Sequence, residues 1–135
     1  MKNSLIVINS DKEKSKLLAE QIATYLQKKE IKSSFYTFNG FAEQVSFEGY
    51  DFVITLGGDG TVLFAARNCA KLKIPVFPIN LGEFGFIAAV QPDEWETSLE
   101  EFLQNNSPLF FEKAKYVILV CWKNYISCYY TDENS

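Results

Sequence analysis

Five consecutive residues, Gly57–Thr61 (GGDGT), form the clearest chemical pattern in this chain of 135 residues. They directly follow an apolar segment that ends at Leu56. Adjacent glycines after a strand allow positive φ angles and let a phosphate approach the backbone closely. The start of a helix behind them would offer N–H groups and a positive partial charge to an anion. The pattern therefore predicts a phosphate-binding turn.

Asp59 lies in the middle of this turn, where its carboxylate would repel a phosphate unless it had another role. That role would be to hold Mg²⁺ or to accept a proton from a hydroxyl nucleophile. The chain has no histidine, which excludes catalysis by a Ser-His-Asp or Cys-His arrangement, so a general base must be a carboxylate, Lys, Tyr or Cys. The alternative is a tight Asp-Gly turn in which Thr61 or Asp59 caps the next helix, although two glycines before the Asp exceed what a cap requires.

A second glycine-containing loop, residues 80–86 (NLGEFGF), follows another apolar segment. Asn80 at the end of a strand can bond a ribose hydroxyl or the edge of a base, and Phe84 or Phe86 could cover an adenine ring. The alternative is a plain strand-to-helix turn whose phenylalanines fill the core. Arg67, one turn into the helix predicted after Thr61, would reach a phosphate or face the solvent.

Strands and helices alternate along the first 108 residues, as hydrophobic periodicity indicates. The predicted strands are Leu5–Asn9, Lys32–Phe38, Asp51–Leu56 and Val76–Asn80. Three helices are predicted. The first begins at a capping box of Ser10 and Glu13 and runs to about Lys29. The second has an apolar face of Val62, Ala65, Ala66, Cys69 and Leu72, and the third spans Asp93 to about Asn105. We therefore expect an α/β domain over residues 1–108, with an open, mostly parallel, Rossmann-like sheet flanked by helices. Both glycine loops would lie at the carboxyl ends of its strands, where such sheets bind ligands.

The C-terminal segment has a different character. Residues 109–135 are rich in β-forming residues and include two predicted strands, Tyr116–Trp122 and Tyr125–Thr131, separated by a turn. We interpret this segment as the start of a second, all-β domain, a truncated β-sandwich.

Charge, hydropathy and cysteine spacing limit the kinds of partner expected for this chain. The net charge is −4, from 13 basic and 17 acidic residues, and no basic patch favours nucleic acid as a partner. No apolar stretch approaches the roughly 20 residues of a membrane span, and Met1–Asn9 has no cleavage site after it, so we expect a cytoplasmic protein without membrane association. Cys69, Cys121 and Cys128 lack metal-ligand spacing, which predicts buried thiols and no structural metal site.

The two loops together resemble the NAD kinase family. Gly57–Thr61 is similar to the GGDGT signature of that family, in which an Ala-Ala-Arg run such as Ala65–Arg67 often follows. Residues 78–86 look like its (I/V)-N-x-G-x-(L/F)-G-F segment. GGDGT alone is shared with diacylglycerol and sphingosine kinases and, as GGDGS, with phosphofructokinases, but the pair of motifs is much more specific. The resemblance covers roughly residues 4–120.

The resemblance implies transfer of a phosphoryl group from ATP or polyphosphate to the 2′-hydroxyl of the adenosine ribose of NAD, which gives NADP. It implies a divalent cation, with Mg²⁺ expected, and a homo-oligomer in the full-length form. The family assigns the general base to the position of Asp59. Gly60 would contact NAD through its backbone, and Asn80 and Phe84 would line the adenosine pocket. The residues that would shape the loop near the transferred phosphate are Gly57, Gly58 and Thr61.

Two departures from the family pattern stand out. Family members often carry Arg, His or Lys where this chain has Phe64. The Asn-Glu or Asn-Asp pair and the Thr-Ala-Tyr-type stretch of the family's second domain are not recognisable before Ser135, so we expect a fragment, a truncated form or a shortened relative. The alternatives are a lipid kinase domain of the diacylglycerol or sphingosine type, and a nucleotide-binding module without catalysis.

Overall fold

The structure is a computed structural model that describes residues 2–9, 13–40, 45–69, 72, 74–81 and 90–105. Strands and helices alternate in this part of the chain, which confirms the predicted α/β class. In chain order they are β1 (Lys2–Asn9), α1 (Glu13–Lys28), β2 (Ile31–Phe38), β3 (Phe52–Gly57), α2 (Asp59–Cys69), β4 (Val76–Asn80), a 3-10 turn (Pro92–Glu94) and α3 (Trp95–Asn105). Ser10, Phe84 and the predicted all-β segment, residues 109–135, lie outside the described residues.

The four strands form one sheet in the order β2-β1-β3-β4. Every neighbouring pair is parallel, as the alternation of elements predicts. Leu56 of β3 lies in register with Ile8 of β1 and with Ile79 of β4. All six residues of β3 are buried, in keeping with its position as one of the two inner strands of the sheet. The carboxyl ends of the strands therefore meet at one edge of the sheet.

One face of the sheet is covered by α1 and α3. The apolar residues of α1 recur at helical spacing, so that Ala19, Ile22 and Leu26 point into the core while the opposite side of the helix faces solvent. They pack with β-branched and aromatic residues of the sheet and with two residues of α3, Leu99 and Phe102. The Phe102 ring lies 5.4 Å from that of Phe52 and 5.2 Å from that of Phe77.

A polar cluster attaches α3 to α1 at the surface of this face. The Tyr25 hydroxyl donates a hydrogen bond to Glu100, and Lys29 Nζ lies 2.7 Å from the same carboxylate oxygen. Lys29 also lies 5.3 Å from the centre of the Tyr25 ring, whose other neighbour is the edge-on ring of Trp95 at 5.5 Å. The hydrogen bonds from Lys29 and Tyr25 lower the pKa of Glu100 to about 2. Burial and the bond to Glu100 raise the pKa of Tyr25.

The opposite face is covered by α2. Ala65 and Cys69 of this helix pack with Leu5, Val7 and Val53 of the central strands. Toward β2 the packing becomes aromatic: the Phe64 ring stacks on Phe38 at 4.5 Å and on Tyr36 at 5.5 Å. Cys69 is buried as predicted, and burial raises the pKa of its thiol.

Two predicted helix boundaries are wrong. The helix after the glycine loop ends at Cys69, so Leu72 does not continue its apolar face and is instead 38% exposed. The helix ends earlier because the chain must return to the sheet at Val76, and the N–H of Ile74 bonds the carbonyl of Cys69 at 3.2 Å at the end of the helix. The helix predicted from Asp93 begins instead as the 3-10 turn and becomes α-helical only at Trp95.

Candidate functional site

The GGDGT segment joins the central strand β3 directly to helix α2. β3 ends at Gly57, and α2 begins at Asp59, so the turn itself is only Gly58. The Gly58 carbonyl accepts the N–H groups of Thr61 at 3.1 Å and Val62 at 3.2 Å, which closes the first turn of the helix. Asp59 is half-buried at the helix N-terminus, and Gly60 is exposed beside it. A carboxylate therefore lies at the carboxyl edge of the sheet, as the motif predicts.

The sequence predicted two properties for the glycines of this turn, positive φ angles and a backbone that a phosphate can approach closely. The described glycines with positive φ are Gly40 and Gly49, so the expectation of positive φ in the GGDGT turn is wrong. Gly57 is needed because its Cβ would collide with Thr61 Oγ1 and lie 3.0 Å from the Asn9 Cβ. Gly58 and Gly60 have nothing within 4 Å of the Cβ position, so the backbone there faces open space. One glycine permits tight packing, and the other two leave the backbone accessible to a ligand.

Thr61 is 1% exposed, and its hydroxyl has no hydrogen-bond partner among the described residues. The alternative prediction that Thr61 caps the helix is therefore wrong, because a cap requires the side-chain oxygen to accept a backbone N–H. Its side chain instead fills the space that a Cβ on Gly57 would take. Thr61 thus shapes the turn by packing.

The second motif begins beside the first. Asn80, 6% exposed, is the last residue of β4 and lies in register with Gly57 of β3. The next residue, Leu81, donates its N–H to the Gly57 carbonyl at 2.9 Å. The Asn80 N–H donates to the Val90 carbonyl at 2.7 Å, so this strand end is held from both sides. The two motifs, distant in sequence, meet at one point, but Phe84 and its predicted adenine contact lie outside the described residues.

Asn9, which the sequence motifs do not include, also lies beside this turn. It is the last residue of β1, half-buried, and its Cβ lies 3.0 Å from the Gly57 Cβ position. The buried Ser15 of α1 donates its hydroxyl to the Asn9 carbonyl at 3.1 Å and so fixes the backbone there. A local signal does exist, since β1 and β4 both end in Ile-Asn at the same edge of the sheet.

Two basic contacts considered from the sequence do not form part of this site. Arg67 is exposed in the last turn of α2, eight residues beyond Asp59, or about 12 Å along the helix rather than one turn. Its solvent-facing interpretation is the one the structure favours. Phe64, which replaces a residue often basic in the NAD kinase family, is 4% exposed within the aromatic packing of the α2 face. This position stabilises the core and presents no charge to the turn.

The described residues also bear on metals and membranes. Among them, no group of three or more cysteine or acidic side chains is placed to hold a metal ion. Within the same part of the chain, no helix combines the length and the apolar character needed to cross a membrane.

Comparison with known proteins now gives this arrangement a family. The model of the ATP-NAD kinase N-terminal domain matches residues 6–107. The chain belongs to the NAD kinase family. The matched range contains every described element from the middle of β1 to the end of α3 and both strand-end motifs, which confirms the resemblance drawn from the two loops.

Relatives of known name agree with this membership. The chain is 46% identical over 110 residues to an NAD kinase of Treponema denticola, covering 81% of this chain and 39% of the relative. It is 35% identical over 100 residues to the NAD kinase of Treponema pallidum strain Nichols, covering 73% of this chain and 33% of that relative. It is 36% identical over 107 residues to the NAD kinase of Clostridium botulinum strain Langeland, covering 77% of this chain and 38% of that relative. The matched region therefore spans a third to two fifths of the length of these relatives.

Proposed function

We propose that the full-length protein is an NAD kinase, which transfers a phosphoryl group from ATP or polyphosphate to the 2′-hydroxyl of the adenosine ribose of NAD. The observation that supports this most directly is the meeting of the two motifs. Asn80 lies in register with Gly57, and Leu81 is bonded to it, so a group that can hold a ribose lies beside the turn that carries Asp59. Family membership and the names of the relatives support the same reaction.

The proposed chemistry needs one base and a surface for the phosphate. The Asp59 carboxylate accepts the proton of the 2′-hydroxyl as the ribose oxygen forms its bond to the terminal phosphorus, and the bond to the leaving phosphate breaks. The open backbone at Gly58 and Gly60 lets the reacting groups approach the N-terminus of α2, whose N–H groups and dipole favour negative charge. Asn80 and, beyond the described residues, Phe84 line part of the adenosine side.

The proposal includes a divalent cation, with Mg²⁺ expected. When bound, such an ion neutralises charge that develops on the transferred phosphate. Mg²⁺ is commonly bound by one or two carboxylates together with substrate phosphates. Because Asp59 is assigned here as the base, the phosphates of the donor would hold most of the ion; the described residues contain no acidic cluster that would hold it in an all-protein site. The ion would therefore enter with the phosphoryl donor.

The remaining parts of the active site are expected from sequence outside the matched region. Because residues 6–107 match only the N-terminal domain of the family, the second domain would contribute further contacts to NAD. We propose a homo-oligomer for the full-length form, as the family resemblance implies. The described residues supply the base, the turn and one wall of the adenosine pocket.

The test is formation of NADP by the full-length protein from NAD with ATP, or with polyphosphate, and Mg²⁺. In the Asp59→Asn variant we expect turnover to fall by about 10²–10⁴-fold, the usual contribution of a positioned general base. The matched control is Asp93→Asn, which removes an exposed carboxylate of the 3-10 turn and should leave turnover unchanged. Turnover retained in Asp59→Asn would remove this residue as the base.

Two other outcomes would replace the proposal. Binding of NAD and ATP without any NADP would support a nucleotide-binding module without catalysis. Phosphorylation of diacylglycerol or sphingosine in place of NAD would support a lipid kinase. Both are measured with the same protein preparation, so that each result excludes the others.

A further inference from the structure

We propose that Asn9 binds the terminal phosphates of the phosphoryl donor. This inference rests on the proposed function and assigns the side of the turn from which the donor approaches. Asn9 lies in register with Phe38 of β2, and Gly57 lies in register with Asn80 of β4. Since Ile8 is paired with Leu56, Asn9 follows as the neighbour of Gly57 across the β1–β3 pair.

These residues share one face of the sheet. Side chains alternate between faces along a strand, and Ile8, Leu56 and Ile79 all belong to the core beneath α1 and α3. The residue after each of them therefore faces α2. Gly57 has no side chain, and the side chain of Thr61 takes its place against Asn9. The GGDGT turn is thus flanked by one asparagine on the β1 side and another on the β4 side.

The two asparagines divide the site into an acceptor side and a donor side. Asn80 begins the loop that the family pattern assigns to the adenosine of NAD, so the ribose hydroxyl is expected on the β4 side. In phosphoryl transfer the attacking and leaving oxygens lie roughly in line, on opposite sides of the transferred phosphorus. With the acceptor on the β4 side, the remaining phosphates of the donor extend toward β1. Asn9 is the polar side chain of a described strand that flanks the turn on that side.

An amide has the chemistry that this position needs. Its NH₂ group is a hydrogen-bond donor suited to phosphate oxygens, and it carries no charge of its own. The buried hydroxyl of Ser15 holds the backbone of Asn9 at 3.1 Å, so the residue is positioned by α1 before any ligand arrives. Because that bond uses the backbone carbonyl, substitution of the side chain leaves it in place.

The test uses the full-length protein, with initial rates measured while ATP or NAD is varied and the other is saturating. In Asn9→Ala we expect the KM for ATP to rise by about tenfold or more, the loss of one hydrogen bond to a charged group. The KM for NAD should stay within about twofold. Asn9→Asp should raise the KM for ATP further than Asn9→Ala, because it places a second negative charge near the phosphates. If ATP is not a donor, tripolyphosphate takes its place in every arm.

The matched control is Asn3→Ala, which removes the same amide from the opposite end of β1, where Asn3 is exposed. It should leave both KM values unchanged. Equal increases in the KM for ATP and for NAD in Asn9→Ala, together with a lower midpoint of thermal unfolding, would assign Asn9 a structural role and overturn the proposal. Unchanged KM values for both substrates would overturn it as well.

The inference can fail separately from the proposed function. If the unmodified protein forms NADP but Asn9→Ala behaves like Asn3→Ala, the kinase assignment stands and the donor contact is wrong. If no NADP forms, titration calorimetry with Mg²⁺ and ATP alone still decides the role of Asn9. Binding weakened about tenfold in Asn9→Ala supports the contact, whereas equal binding in both proteins, or none in either, overturns it.

Discussion

The face of the sheet beneath α1 and α3 differs from the face beneath α2 in whether its buried hydroxyl groups have hydrogen-bond partners. On the α1 and α3 face, Ser4 is fully buried, and its hydroxyl bonds the Lys32 carbonyl at 2.9 Å. The polar cluster of Tyr25, Lys29 and Glu100 is likewise joined by hydrogen bonds and an ion pair. On the α2 face, the hydroxyls of Thr55 and Thr61 are buried without a partner among the described residues.

This difference separates stability from ligand binding. Burying an unpaired hydroxyl costs about 1–3 kcal/mol in proteins, so a face that contains two of them is not optimised for stability. The same face carries Asn9 and Asn80 at the strand ends and the open glycines of the turn. The α2 face therefore has two asparagines beside the turn, whereas on the opposite face bonded side chains join α1 to α3. Substitutions on the two faces should therefore have different consequences.

The largest effect is expected from Gly57→Ala. The added Cβ would collide with Thr61 Oγ1 and approach the Asn9 Cβ at 3.0 Å, so the turn must shift. Overpacking of this kind costs about 1–3 kcal/mol. We expect urea unfolding of the full-length protein to show this loss of free energy of unfolding, together with reduced NADP formation. Unchanged stability and turnover would show that the turn is more pliable than its packing indicates.

Gly60→Ala is the matched control for that substitution. A Cβ on Gly60 meets nothing within 4 Å, and its φ is one that alanine adopts. Replacement of glycine by alanine in a helix should leave stability unchanged or increase it by up to about 1 kcal/mol. NADP formation should nevertheless fall, because the methyl group occupies the space through which NAD would approach the backbone. Comparison of Gly57→Ala with Gly60→Ala thus distinguishes a loss of activity caused by disturbed packing from one caused by blocked approach of NAD.

A smaller effect, of opposite sign, is expected from Thr55→Val. Valine keeps the shape of the side chain and removes a buried hydroxyl that lacks a partner. We expect the free energy of unfolding to increase by about 1 kcal/mol, with unchanged KM values, because Thr55 lies within β3 and not at its end. A decrease in stability would reveal a bonded partner, such as an internal water, and would weaken the contrast between the faces.

The smallest effect is expected from Glu100→Gln, at the surface of the other face. The hydrogen bonds from Lys29 and Tyr25 lower the pKa of Glu100 from 4.5 to about 2. Since the folded-state pKa is depressed, the stabilisation is present above pH 4.5 and is lost as the pH falls toward 2. Glu100→Gln should flatten this part of the curve of thermal midpoint against pH, and Glu20→Gln, on the exposed side of α1, should not. Identical curves for the two variants would show that the cluster adds nothing to stability.

The sequence predicted the elements better than their boundaries and the motifs better than their contacts. Val76–Asn80 is confirmed at both ends, because Pro75 and the following glycine loop bracket a short apolar run. The end of α2 was wrong, because Leu72 continues the helical period while the return to the sheet ends the helix at Cys69. The positive φ expected in the turn was wrong, because Gly57 is required for the space beside Thr61.

The shared Ile-Asn ending of β1 and β4 does not by itself predict that Asn9 lies beside Gly57. Its proximity to Gly57 depends on the order and register of β1 and β3, which neither segment specifies alone. Periodicity identifies Asn9 only as the end of a strand. The burial of Phe64 was equally hidden, because a residue one turn into a helix after a phosphate-binding turn is expected near a ligand. The Phe64 ring instead packs in the core against the aromatic rings of Tyr36 and Phe38 on β2.

The hydrogen bond from the Leu81 N–H to the Gly57 carbonyl has a mechanical consequence. It joins the backbone at the end of β3 to the first residue beyond β4, so neither segment can move far without stretching this bond or carrying the other along. A movement of the Gly57 backbone on binding of one substrate would therefore also displace Leu81, and the reverse holds for the other substrate. Binding of either substrate, at the β3 turn or at the loop after β4, should slow hydrogen exchange at the Leu81 amide. This one amide would therefore report on both binding events.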